Sequence, residues 1–160
     1  MTRKEEAYDF IKNKIVQNEL HPNEVISENQ ITDQLNMSRT PVREAIKQLV
    51  ADGLVEMRGR ENVVTALTAS DVQEVYELRS LLETFALKKT INLIPEFKLD
   101  EIDNKFRTAY QARDWDIYLR ADTEFHELIT HIAGYERLKQ FLKILKAQTA
   151  RTRHVSSYNP

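Results

Sequence analysis

At 160 residues, 41% hydrophobic and 30% charged, the chain has room for one ordinary domain or two small ones and the composition of a soluble globular protein. The absence of cysteine excludes disulfides and thiolate zinc sites, and no apolar run approaches the roughly 20 residues of a membrane span. With a net charge of −2, the chain is no globally basic nucleic-acid binder. Residues 1–67 hold nine Lys/Arg against eleven Asp/Glu, which leaves fourteen of each in residues 68–160. Any affinity for nucleic acid must therefore come from a local concentration of cations. The N-terminus Met1-Thr2-Arg3-Lys4-Glu5-Glu6 lacks a signal-peptide core, so a cytoplasmic location without a membrane partner is expected.

In chain order, Ala7, Tyr8, Ile11 and Ile15 mark one face of a helix from about Arg3 to Gln17. Pro22 places a turn after it, and Val25-Ile26 has the character of a short strand. Ser27-Glu28-Asn29-Gln30 reads as a capping box opening a second helix that buries Ile31 and Leu35. The next helix begins at Ser38, in N-cap position, with Thr40 and Pro41 in its first turn, and closes at Asp52-Gly53. Leu54–Met57 and Asn62–Thr65 read as two strands around an Arg58-Gly59-Arg60-Glu61 turn. Further helices are expected from Thr68 to about Ile91, from about Lys98 to Arg113, from an Arg113-Asp114-Trp115-Asp116 turn through Ile132, and from beyond Tyr135 to about His154. Val72, Val75, Tyr76, Leu82, Phe85 and Ala86 form the expected inner face of the first of these. Ile102, Phe106, Ala109 and Tyr110 do so for the second, Tyr118, Phe125, Leu128, Ile129 and Ile132 for the third, and Leu138, Phe141, Leu142 and Leu145 for the last. Short connections between long helices mean an antiparallel bundle.

The Ser38 helix carries the sharpest functional signal. Val42, Ala45, Ile46, Leu49 and Val50 follow the spacing of one buried stripe, while Arg39, Arg43 and Lys47 stand at i, i+4 and i+8 on the other side. Such a cation row is usually a solvated helix face. Here it follows a capped helix and precedes a basic hairpin with Arg58 and Arg60, a set that fits a recognition helix in a DNA major groove. Helix, helix, turn, helix and hairpin make a winged helix-turn-helix, so the expected fold is mainly α, with a small β-hairpin and a helical bundle.

Ser38-Arg39-Thr40-Pro41-Val42-Arg43-Glu44-Ala45, followed by Leu49 and Asp52-Gly53-Leu54-Val55, resembles the signature of the GntR family of bacterial transcription regulators. The resemblance covers roughly residues 5–66. It implies that Arg39 and Arg43 contact operator bases or phosphates, that Ser38 and Thr40 assist at the backbone, and that the wing tip at Gly59 and Arg60 enters the minor groove. One departure is Asn29, where the family often has another contacting Arg. The second half resembles the helical ligand-binding domain of the FadR subgroup, through Glu74-Val75-Tyr76-Glu77-Leu78-Arg79 with Leu82-Glu83, Asp122-Thr123-Glu124-Phe125-His126, and Ala133-Gly134-Tyr135-Glu136-Arg137-Leu138. A DNA-binding domain over 1–67 and a helical effector-binding and dimerisation domain over 68–160 are the implied division.

Asp122 and His126, at i, i+4 on one helix face, can share a divalent metal, although such pairs are also common on surfaces. The resemblance implies that they are metal ligands for zinc, nickel or manganese, completed by two histidines from later helices. His131 points off the face and His154 matches neither partner, so the metal site is expected to be incomplete and the bundle to lack its closing helices. Arg79 and Glu83 form either an ordinary helix ion pair or, as the resemblance implies for Arg79, the end of a cavity that meets the carboxylate of a small organic acid. The expected function is a ligand-responsive transcriptional regulator, in repressor form, binding a short palindromic operator on double-stranded DNA as a homodimer. The alternatives are a metal-dependent enzyme using Asp122 and His126, or a truncated regulator that binds DNA without sensing an effector.

Overall fold

A computed structural model describes residues 1–156, with side chains through residue 152. Among the described residues seven helices and one hairpin follow in order: α1 Arg3–Val16, α2 Glu28–Leu35, α3 Arg39–Ala51, β1 Val55–Arg58, β2 Glu61–Val64, α4 Ala69–Thr90, α5 Glu96–Ala112, α6 Trp115–Ala133 and α7 Glu136–Ser156. They form two compact units, one of Met1–Tyr76 with the residues from Ile144 on, the other of Glu77–Lys143. The first has the winged helix-turn-helix order expected from the sequence, and the second is helical.

Local chemistry explains the boundaries of the first unit. Thr2 and Glu5 make a reciprocal capping box at the start of α1. Ser27 accepts from the Gln30 N–H at the start of α2, which is the Ser27 half of the expected box. Asn36 ends α2 in the left-handed region at φ 48° and turns the chain towards α3. Gly53, at φ +71°, follows the Asp52 C-cap of α3, in a conformation where any side chain is strained.

The strands run to Arg58 and back from Glu61, one residue later and one earlier than the sequence pattern indicates. The turn between them is therefore only Gly59-Arg60, with Gly59 at φ +65°. The Val25 strand character appears as a single bridge to Val63, reinforced by Ile26 N–H donating to the Asn62 carbonyl.

The head core gathers Ala7, Ile11 and Ile15 of α1, Ile31 of α2, and Val42, Ala45, Ile46 and Leu49 of α3 over Leu54, Val55 and Val64. The expected α3 stripe is thus buried, with Val50 half-buried at its edge. Asp52 gathers polar bonds at the C-terminal end of α3. It accepts from the Tyr8 hydroxyl at 2.6 Å and from Gln48 Nε2 at 3.0 Å, while its carbonyl accepts from Gln148 Nε2 at 3.2 Å. Buried Arg151 donates to Gln148 Oε1 and to the Thr65 carbonyl, and burial lowers its pKa from the usual value. The described residues from Ile144 on thus belong to the head, not only to the bundle.

In the helical unit, Ala86, Ile94, Ile129, Leu138 and Leu142 form the buried cluster. Several side chains expected inside are not. Phe85 of α4, Tyr110 of α5 and Phe141 of α7 are exposed, as is Tyr76 of α4 in the head unit. The cause is that these helices carry large apolar residues on more than one face, and the described neighbours cover only one.

Candidate nucleic-acid interface

α3 is fixed by its buried stripe, which turns Arg39, Arg43 and Lys47 to the surface. These three, with Ser38, Thr40, Arg58, Gly59 and Arg60, are all exposed. Ser38 occupies the N-cap position with extended backbone, but its hydroxyl makes no cap hydrogen bond. That differs from the usual role of an N-cap serine and leaves the first-turn N–H groups of α3 without a side-chain acceptor. N–H groups at a helix start favour an anion such as phosphate, and no acid stands in the first turn of α3 to occupy that end.

The cations divide into held and free. Arg43 Nε donates to Glu28 Oε2 at 2.7 Å, and Arg58 donates to Glu56 at 2.8 Å and to Asn23 Oδ1 at 2.7 Å. Arg39, Lys47 and Arg60 make no ion pair or side-chain hydrogen bond among the described residues. The two-residue turn makes Arg60 the tip of the wing.

The helical unit contains a second polar constellation. Arg79 donates to Glu83 Oε1 through Nε at 3.2 Å and Nη2 at 2.9 Å, and both side chains are largely buried. The other Glu83 oxygen lies 3.3 Å from His126 Nδ1, and His126 Nε2 lies 3.5 Å from Asp122 Oδ1. Among the described residues buried Nδ1 makes no hydrogen bond, despite the short distance to Glu83. Sequence spacing brought Asp122 to His126 and Arg79 to Glu83, but linking the two pairs through Glu83 and His126 required the packing of α4 on α6.

A resident metal centre needs three or four protein donors. Among the described residues no cluster of three or more His, Cys, Asp or Glu can hold a metal ion. His131 is exposed, and the His154 side chain lies outside the described residues. Asp122 and His126 by themselves therefore do not fit such a centre.

The description "Bacterial regulatory proteins, gntR family" matches residues 3–64, and "FCD domain" matches residues 74–160. The chain belongs to the GntR family. Within it, the chain is 32% identical over 142 residues to the HTH-type transcriptional regulator YdhC of Bacillus subtilis, covering 85% of this chain and 63% of that one. It is 30% identical over 143 residues to the gluconate operon transcriptional repressor of the same organism, covering 88% of this chain and 58% of that one. With the HTH-type transcriptional repressor RspR of Escherichia coli it shares 27% over 156 residues, 95% of this chain and 68% of that one.

This GntR-family chain thus spans about three fifths to two thirds of those relatives. Its fold is similar to E. coli McbR/YncC, with a TM-score of 0.77 at 20% identity over 97% of this chain and 75% of that one. It is also similar to a GntR regulator from Rhodococcus sp. RHA1, with a TM-score of 0.73 at 24% identity over 97% of this chain and 76% of that one.

Proposed function

We propose that the chain is a ligand-responsive DNA-binding transcriptional regulator, acting as a repressor on a short palindromic operator. The observation that carries this is α3: one face is buried in the head core, and the other offers Arg39, Arg43 and Lys47 behind an uncommitted Ser38 end. Arg43 reads base edges, while Ser38, Arg39, Thr40 and Lys47 meet the backbone, and Arg58, Gly59 and Arg60 place the wing in the adjacent minor groove. The family membership and the regulators and repressors among its relatives support this over an enzyme built on Asp122 and His126.

Residues 1–67 carry the DNA-binding function, and the helical part from α4 on dimerises and senses a small organic acid, while α7 also contributes Ala147 to the head core. Exposed Leu81, Phe97 and Trp115 give the homodimer an apolar surface to bury. Arg79 is the anchor for an effector carboxylate, in exchange for part of its hold on Glu83. A zinc, nickel or manganese ion at Asp122 and His126 would need further donors. Among the described residues no helix is long and apolar enough to cross a membrane. A cytoplasmic location follows from the proposed work on DNA.

The test starts with an operator selected by the full chain from a random-sequence duplex library. Arg43→Ala should lower affinity for that duplex about 10- to 100-fold and abolish discrimination against a scrambled duplex. Full discrimination by the variant would overturn the assignment of α3.

A further inference from the structure

Glu28 is an acid in a surface proposed to bind a polyanion. Repulsion by phosphate makes such a residue costly at the interface unless it does something for recognition. As the first residue of α2 it directly follows the Ser27 cap, which fixes its backbone. Its side chain is 27% exposed against 57% for Arg43, so the carboxylate is the more anchored member of the pair.

The geometry of the contact decides what it leaves available. Glu28 takes Arg43 by Nε at 2.7 Å, which sets the guanidinium plane. The terminal Nη groups remain as a fork, the arrangement that donates two hydrogen bonds to guanine O6 and N7. The same carboxylate neutralises the Arg43 charge towards distant phosphates. Arg39 and Lys47, on the same face, have no such partner among the described residues and remain free for phosphate.

We infer that Glu28 is a specificity-determining residue: it orients Arg43 for base reading and withholds the Arg43 charge from non-specific phosphate contact. This rests on the reading of Arg43 as the base-contacting residue proposed above. Glu28 acts through Arg43 and is a positioning residue, not itself a DNA contact.

The full chain with Glu28→Gln is compared with the parent on the library-selected duplex and on a scrambled duplex of equal length. Affinity for the scrambled duplex should rise about threefold to tenfold. The ratio of specific to non-specific affinity should fall about tenfold. The slope of log affinity against log salt on the scrambled duplex should steepen by about 1, the value for one added phosphate contact.

Glu28→Asp keeps a carboxylate at the start of α2 but draws it back by one methylene from Nε, so it should lose part of the discrimination as well. A purely structural role at the helix start would move the melting temperature and leave the salt slope alone. In an Arg43→Ala background Glu28→Gln should have no further effect on the ratio. An unchanged ratio and slope in the single variant, or an equal effect of Glu28→Gln with and without Arg43, would overturn the inference. If Arg43→Ala alone leaves discrimination intact, the base-reading role of Arg43 fails and the inference falls with it. If Arg43→Ala destroys discrimination and Glu28→Gln does not alter it, only the role of Glu28 falls.

Discussion

The head unit encloses Ile11, Val42, Leu49, Leu54, Val55 and Val64 almost completely, and among the described residues its exposed large apolar side chains are Met1, Val25, Met57 and Tyr76. In the unit of Glu77–Lys143, Leu78, Leu81, Phe85, Ile91, Leu93, Phe97, Tyr110, Trp115, Ile117, Leu119, Tyr135 and Phe141 all remain exposed. The head closes a core by itself and spends its surface on charge. The helical unit closes a smaller core and keeps an apolar surface, the kind that other protein tends to cover. Reading DNA needs a rigid frame behind one helix, whereas the proposed dimerisation and effector sensing would need surface that can still be engaged.

Substitutions should divide along the same line. Leu49→Ala, at a fully buried α3 position, should cost the head about 3 to 4 kcal/mol in denaturant unfolding. Gly53→Ala should cost about 1 to 2 kcal/mol, because the residue sits at φ +71° and a Cβ would come within 3.3 Å of Gln148 Nε2. Tyr8→Phe should cost about 1 kcal/mol by removing the hydrogen bond to Asp52.

The Tyr8 contribution also has a pH signature. Burial first, and then the Asp52 bond, raises the Tyr8 pKa above its ordinary value of 10.0. A raised folded-state pKa stabilises fully below the unfolded value and less as pH climbs through the folded one. Thermal melts of the parent should therefore weaken above about pH 10 more than those of Tyr8→Phe. The smallest effect should come from Met57→Ser in the head, within about 0.5 kcal/mol, since the side chain is 67% exposed. If its melt falls as far as that of Leu49→Ala, that surface is covered in solution and the contrast between the units breaks down.

The head was legible because its signals are local. The α3 stripe, the Asp52-Gly53 stop and the basic hairpin each lie within a few residues. Their joint meaning needed only the order of the elements. The strand ends moved by one residue because a two-residue turn with Gly59 at positive φ is shorter than the four-residue stretch suggests. The Ser38 position was readable but not the state of its hydroxyl, which depends on side-chain torsion rather than sequence.

The Glu28–Arg43 pair was out of reach for a different reason. Its members are fifteen positions apart and meet only because α2 packs on α3. The same holds for His126 beside Glu83, which joins α6 to α4. The inner faces of α4, α5 and α7 were over-assigned, because periodicity reports every apolar face and not which one finds a neighbour.

The most direct test compares two residues of one helix row, Arg43→Ala and Lys47→Ala, by fluorescence anisotropy on the selected and scrambled duplexes across a salt series. Arg43→Ala should erase the preference for the selected duplex. Lys47→Ala should weaken both duplexes alike and reduce the salt slope by about 1. Parent-like affinity, preference and slope in both variants would contradict the placement of DNA on α3.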